Sequence, residues 1–294
     1  MKLKKLTVLT FMLASVLGCT NAPDSNLNVW NEIPVTFNVS TLSVETQPMS
    51  RGTNSGAEIF EVIHSVGYYI YDSNSQLYRS GGISFDPETE LVPENFGLFK
   101  ETMQPGEYKV LFYGIGKGDG NAYWENMDSY SSDMMLHFDN NEFFYYCQNL
   151  TIAPSSTMIE VALSRKSALL VIDIKDEVRE DVSKVEYLFS RPTVWNPYFE
   201  ETSKSNSLKY EAVKDGNKLK QFEYYFPFPS ENINLTINIY DLSSNILGSK
   251  TMLVPLEANR KTIVTGELFS SLGNKELTIV LDDIWEEDWI YEFQ

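Results

Sequence analysis

Two histidines, His64 and His137, and two cysteines, Cys19 and Cys147, are the whole supply of imidazole and thiol in this 294-residue sequence. Nucleophilic catalysis and transition-metal binding draw on these groups, so their placement limits the chemistry available. His64 stands among apolar residues in a segment of strand character, the setting of a satisfied core or edge histidine rather than a general base. Cys147 ends the run Phe143-Phe144-Tyr145-Tyr146-Cys147, where a small apolar residue is expected and a nucleophile is not. No Cys/His cluster, zinc-binding helix motif, phosphate-cradling glycine loop or serine elbow occurs. The run Gly116-Lys117-Gly118-Asp119-Gly120-Asn121 lacks the carboxylate ladder of a calcium loop. Asp282, Asp283, Glu286, Glu287 and Asp288 are more simply a solvated face than a calcium site. Nor do the acids make a glycosidase, since any acidic chain offers carboxylate pairs. The chain reads as a non-enzyme, with no metal or cofactor.

Cys19 is the cysteine with a context. Lys2, Lys4 and Lys5 form a cationic head, Leu6 to Leu17 an apolar run of signal-peptide length, and Val16-Leu17-Gly18-Cys19 closes it. The run falls short of the roughly 20 apolar residues needed to cross a bilayer. Its ending resembles a lipobox, which implies cleavage after Gly18 and diacylglycerol on the sulfur of Cys19. Two or more acyl chains then give stable attachment where one does not. Residues 1–18 are read as the signal peptide and 19–31, small and polar, as a tether. Removal of residues 1–18 leaves 276 residues, which suit two domains of moderate size. The net charge of −18 becomes about −21 once the three signal lysines are lost, a surface that repels nucleic acid and anionic lipid headgroups.

The elements beyond the tether are strands. Ile33, Val35, Phe37 and Val39 alternate with polar residues, the period of a half-buried strand. The apolar phase then slips to Leu42 and Val44, which predicts a bulge near Ser40-Thr41, and Pro34 favours an edge position or the start of the strand. Thr46 to Gly56 reads as an exposed loop carrying Arg51, either a simple solvated arginine or a target for a trypsin-like protease. Ala57 to Ile63 can start helically. Val62 to Tyr71, the turn Asp72-Ser73-Asn74-Ser75 and a return from Leu77 make a hairpin. Pro105-Gly106 is read as a turn with glycine at positive φ, and Gly114 to Asn121 as a loop. Between them Tyr108, Val110 and Phe112 face one way and Leu111 and Tyr113 the other, so both faces are covered.

A short basic link, Ser164-Arg165-Lys166-Ser167, precedes the apolar strand Ala168 to Ile174 and is taken as the boundary between domains 32–165 and 166–294. The second half repeats the recipe with Val185 to Phe189, Ile233 to Ile239, Met252 to Leu256 and Thr262 to Leu268. Ile70-Tyr71-Asp72 is echoed by Ile239-Tyr240-Asp241, a short internal match. Many short strands joined by polar turns predict an all-β fold of two sandwiches. Tyr123, Trp124 and Tyr130, and Trp195 and Tyr198, lie in loop-like stretches. They read as rings packed over the sandwich ends or, alternatively, as a glycan-stacking platform on a surface lipoprotein.

The lipobox, the first alternating strand with its Arg51 loop, Pro105-Gly106-Glu107-Tyr108-Lys109-Val110, Leu163-Ser164-Arg165 and Asn259-Arg260-Lys261-Thr262-Ile263-Val264-Thr265-Gly266 together resemble the fimbrillins of Bacteroidetes. The resemblance implies two tandem transthyretin-like β-sandwiches and export as a lipid-anchored, surface-exposed protein of the outer membrane. It implies a structural, adhesive, anchor or tip subunit of a type V fimbria, partnered by other subunits and by a host or bacterial surface receptor. It also implies cleavage between Arg51 and Gly52, loss of the strand carrying Ile33, Val35, Phe37 and Val39, and strand exchange into the groove left behind. The donor is expected in the C-terminal segment, where Trp285, Trp289, Tyr291 and Phe293 fall on one face of an extended chain.

The anchor is testable first. Cys19→Ser is expected to leave unprocessed precursor that takes up no radioactive palmitate; label persisting in the variant overturns the lipobox reading.

Overall fold

The computed structural model of the chain describes residues 31–42, 59–155, 157–229, 232–270 and 278–282. The chain from Glu32 onward forms one compact body. Its first half comprises β1 (Ile33–Leu42), a single turn α1 (Ile59–Val62), β2 (Ser65–Tyr71), β3 (Leu77–Ser84), β4 (Leu98–Met103), β5 (Gly106–Gly118), β6 (Ala122–Glu125), β7 (Met135–Phe138), β8 (Asn141–Ile152) and β9 (Thr157–Arg165). Seven of these strands form a continuous sheet in the order β3-β2-β5-β8-β9-β1-β4. Phe37 of β1 nonetheless meets Phe112 of β5 at 5.3 Å between ring centroids, although β8 and β9 separate their strands in the sheet. The sheet therefore folds over at its β8–β9 corner, where only two residue pairs are matched, and becomes a two-layered sandwich.

Alternation decides what each face buries. Val66, Tyr68 and Ile70 of β2 and Val110 and Phe112 of β5 point into this sandwich, with Val35, Phe37 and Val39 of β1 opposite. Tyr71, Leu111, Phe143 and Tyr145, on the other face, are covered by a separate apolar cluster with Met134, Leu136, Trp195 and Phe228. Burial on both faces, expected from the sequence of β5, is what the structure shows.

The second half comprises β10 (Ser167–Ile174), β11 (Val182–Asn196), β12 (Glu201–Glu211), β13 (Lys214–Asp215), β14 (Lys218–Leu219), β15 (Phe222–Pro227), β16 (Ile233–Asp241), β17 (Ile246–Val254), β18 (Lys261–Gly266) and β19 (Thr278–Asp282). One layer is β15-β10-β18-β19; the other is β17-β16-β11, with β12 also on β11 and the β7-β6 hairpin of the first half extending it. Leu170, Ile172, Tyr187, Phe189, Leu235 and Ile237 fill the core between them.

The two sandwiches repeat one topology. β1 lies between antiparallel β4 and parallel β9, and β10 lies between antiparallel β15 and parallel β18. The ladders β3-β2-β5-β8 and β12-β11-β16-β17 correspond strand for strand. The sequence echo is a different matter. In both turns the aspartate carboxylate accepts backbone N–H groups two and four residues on, at 2.8–2.9 Å, and a serine takes the left-handed conformation (Ser75 φ 61°, Ser244 φ 67°). Yet β2 corresponds to β11, and β16 to β5, so the match is a recurring Asx-type turn at unequal places in the repeat.

Several local expectations are corrected. Pro34 stands at the second position of a strand paired on both sides, so it marks a start and not an edge. Gly106 is not among the glycines at positive φ and opens β5. Gly114 to Gly118 is strand, not loop. Its glycines answer close packing, since a Cβ on Gly116 would stand 2.6 Å from both a Glu142 carboxylate oxygen and the Val62 carbonyl oxygen. Arg165 is buried at 6 % exposure, so the short basic link is a packed corner.

Gly116→Ala is expected to lower stability by about 1–3 kcal/mol through that overlap. A urea midpoint equal to that of the parent protein contradicts this account.

Candidate functional site

β1 is the element on which the expected chemistry converges. Val35, Phe37 and Val39 are completely buried and Ile33 is half-buried. Burying the three inner side chains is worth about 5–9 kcal/mol gross at roughly 1.5–3 kcal/mol each, before ordering costs. The register of β1 against β9 shifts between Asn38 and Thr41, which is the predicted bulge; it moves the inward phase from Val39 to Leu42. At the start of the shift the Val39 N–H donates to the Gly97 carbonyl at 2.8 Å. Gly97 sits at φ 79°, and a Cβ there would lie 2.5 Å from the Val39 carbonyl oxygen, so glycine is required for the approach.

The two flanks of β1 are unequal. β4 pairs with β1 from Ile33–Met103 to Asn38–Leu98 and, among the described residues, with no other strand. β9 keeps its two-pair corner with β8. Without β1, two backbone edges would face each other across one empty strand position, above a floor of Tyr68, Phe99 and Phe112, whose rings lie 4.9–6.0 Å apart. Polar contacts tie this region together: the Tyr68 hydroxyl donates to Glu101 of β4, and Arg79 of β3 lies 3.8 Å from Glu101 and 3.4 Å from Glu32, which precedes β1. Burial and the Glu101 carboxylate push the Tyr68 phenol well above its ordinary value, so it stays a donor at neutral pH.

Between the sandwiches the chain builds a polar junction. Arg165 Nε lies 2.7 Å from a Glu142 oxygen, both residues being buried, and Arg165 Nη1 donates to Asn259 Oδ1 at 3.1 Å. Two motifs far apart in sequence thus meet. Arg191 of β11 pairs with Asp139 and donates to the Phe138 carbonyl at 2.8 Å; Tyr224 donates to Asp139 at 3.2 Å. Desolvation pushes the Glu142 carboxyl up, against the pull of Arg165.

The aromatics expected in loops lie mostly on strands, Tyr123 and Trp124 on β6 and Trp195 on β11, and Trp124, Tyr130 and Trp195 join the third cluster. Trp195 is buried and stacks on Phe228 at 4.1 Å, and Trp124 packs on Tyr69 and Tyr113 at 5.6–5.9 Å. Of the five rings considered for a glycan platform, Tyr123 and Tyr198 remain exposed, the first stacked on His137 at 4.6 Å. His64 is half-buried, and burial holds its imidazole below the ordinary value against the opposing pull of Asp86. Cys147 is half-buried, 3.9 Å from Lys109 Nζ. Thr278–Asp282, shortly before the expected donor segment, forms β19 and pairs antiparallel with β18. Cys19, Arg51, Gly52, Trp285, Trp289, Tyr291 and Phe293 lie outside the described residues. The clasp of Tyr68, Arg79 and Glu101 and the junction pairs were not anticipated, because a charged residue in a strand carries no signal of its distant partner.

A family model described as a family of unknown function, DUF6562, matches residues 28–294. No curated protein matches the sequence. Solved structures do. A Bacteroides thetaiotaomicron protein described as "putative polysaccharide binding" (DUF1812) superposes with a TM-score of 0.55 at 10% identity, covering 88% of this chain and 100% of that one. A "putative adhesin" from the same species gives 0.54 at 13%, covering 90% and 98%. Another "putative adhesin", from Bacteroides ovatus, gives 0.50 at 12%, covering 82% and 88%. At these identities what is shared is the fold, and it agrees with the Bacteroidetes fimbrillin resemblance.

Arg165→Met is expected to cost about 3–5 kcal/mol at neutral pH, because Glu142 is left buried without its cation. With Arg165 gone the folded-state pKa of Glu142 rises further above the unfolded value, so the loss grows as pH rises from about 4 through the folded-state value. Denaturant titrations across pH read the slope, and a pH-independent loss contradicts the assignment.

Proposed function

The chain belongs to DUF6562, a family of unknown function, and from that premise we propose that it is a fimbrial or adhesive subunit of the Bacteroidetes cell surface, assembled by strand exchange. One observation carries the reading: β1 is the sole ladder partner of β4 among the described residues, so removing it opens a groove bounded by unpaired backbone on both sides. Such a groove is a template for a strand from another chain, with main-chain hydrogen bonds supplying affinity and alternate side chains supplying fit. The names of the solved relatives, two of them adhesins by description, support a surface role.

In the full scheme the chain is exported through its lipobox, anchored in the outer membrane by lipid on Cys19, and cut between Arg51 and Gly52. Residues 32–165 and 166–294 act as its two domains. The departing strand carries Ile33, Val35, Phe37 and Val39, and the incoming one is the segment with Trp285, Trp289, Tyr291 and Phe293 of a neighbour. An uncut chain that keeps its lipid would serve as an anchor. The alternative, a surface lipoprotein that binds glycans, rests on exposed Tyr123 and Tyr198 and on the fold shared with a protein described as polysaccharide binding.

Treatment of the purified precursor with an arginine-specific protease is expected to give a new N-terminus at Gly52 and multimers that survive sizing. Deleting Ile284 to Gln294 is expected to leave folded monomers after the same treatment. Inert monomers from the full chain together with a positive glycan array favour the alternative.

A further inference from the structure

Two stretches far apart in the chain carry the same order of residue types. Glu32-Ile33-Pro34-Val35-Thr36-Phe37-Asn38 of β1 is matched in kind by Asp288-Trp289-Ile290-Tyr291-Glu292-Phe293-Gln294: an acid, apolar residues at alternate places ending in phenylalanine, then a side-chain amide. The second stretch lies outside the described residues and enters by sequence alone. The first shows what each position meets. Arg79 of β3 donates to Glu32 at 3.4 Å. Val35 and Phe37 are completely buried, Phe37 against Phe112. Thr36 stands opposite exposed Lys100 of β4, and the Asn38 amide donates to Glu160 of β9 at 2.9 Å.

Side-chain parity limits how the second stretch can lie in the place of β1. Its odd-numbered apolar residues must turn inward, so its alignment can shift only in steps of two residues. Moved one step deeper, it puts Trp289 at the buried Val35 site, the Tyr291 hydroxyl against the Phe112 ring, and Glu292 at the place of Asn38. Glu292 then faces Glu160, a like charge where the structure has a hydrogen bond. Moved one step the other way, it leaves the Phe37 site empty. The unshifted match avoids both faults: it sets Asp288 beside Arg79, Glu292 across from Lys100, phenylalanine at the Phe37 site, and the Gln294 amide within reach of Glu160. The Val39 site lies beyond this match. Where β1 carries Pro34, which has no N–H to give either neighbour, the match places Ile290, which has one.

We propose that Arg79, Lys100 and Glu160 are specificity-determining residues of the β1 groove, and that they fix the register of an incoming strand by meeting Asp288, Glu292 and Gln294 of a second copy of this chain. This inference deepens the strand-exchange reading above and rests on it. The three residues stand on β3, β4 and β9, so they read the strand from both of its edges and from the facing layer. Exposed charge pairs add little affinity, and their effect here is to penalise the wrong alignment. They also bear on encounter. Copies of a chain with net charge −18 repel one another, and Arg79 and Lys100 give an acidic strand a local cationic landing point.

The test needs no altered residue at first. The full-length precursor is cut with an arginine-specific protease, allowed to assemble and treated with a water-soluble carbodiimide, which joins a carboxylate to a neighbouring amine as an amide with loss of a urea. Mass spectrometry of a mixture of isotope-labelled and unlabelled chains is expected to find an amide between Lys100 of one copy and Glu292 of another. Lys100→Glu is expected to leave the thermal midpoint of the precursor unchanged, since Lys100 is exposed opposite a threonine, and to slow assembly about threefold or more. Glu292→Lys alone is expected to slow assembly as well, and the two substitutions together to restore the parent rate. In the alignment one step deeper Glu292→Lys would instead speed assembly by pairing with Glu160. Assembled chains with no Lys100–Glu292 amide, or a Glu292→Lys variant that assembles faster, overturn the register while leaving strand exchange standing. Failure of the parent chain to assemble at all overturns both.

Discussion

The first sandwich depends on a strand that arrives early in sequence and is paired on both sides. β1 is joined antiparallel to β4 and parallel to β9, so it is the middle of a layer whose outer member has no other ladder among the described residues. Its inner side chains reach across to β5, and Phe37 against Phe112 ties the two layers together. Under the proposed strand exchange, a strand of matching alternation would take its place. The parallel pairing with β9 adds a constraint, because a replacement must run in the same direction to satisfy both edges at once.

The second sandwich has the same plan and a different neighbourhood. β10 takes the place of β1: its antiparallel neighbour β15 has no other ladder among the described residues, and β18 is backed by β19 as β9 is by β8. Every residue of β10 but Asp173 is buried. Its chain continues directly from β9 through Lys166, whose N–H donates to the Phe143 carbonyl at 2.8 Å. The repeat thus places a strand paired on both sides at the same position in each half.

What makes the two halves one body is the segment between β5 and β8. Its hairpin β6–β7 lies over the outer face of the first sandwich and extends a sheet of the second, bringing Leu136 opposite Trp195. Beside it the Glu142–Arg165 pair is buried at the corner, Arg165 also donating to Asn259, and buried Arg191 pairs with the partly exposed Asp139. Buried pairs of this kind contribute little net stability compared with an apolar core, but they tolerate only one arrangement of their carriers. The apolar cluster supplies the adhesion between halves, and the ions specify their register.

The strands themselves were legible because alternation is local. Period two in Ile33 to Val39 and Ile233 to Ile239 states which side chains turn inward, and the slip to Leu42 marks the bulge. The all-β class also belongs to the sequence, since it rests on composition and order within short windows, whereas the lipobox lies outside the described residues. Pairing between distant strands does not. That β1 lies beside β9 and not at an edge, that the glycines of Gly114 to Gly118 are spaced for Ile63 and Glu142 to pass, and that Arg165 meets Glu142 and Asn259 are matters of long-range approach. The short echo at Asp72 and Asp241 shows the same division from the other side. The local turn was repeated faithfully, while its place in the repeat was decided only when strands found their partners, because backbone hydrogen bonds between strands carry no record of sequence separation.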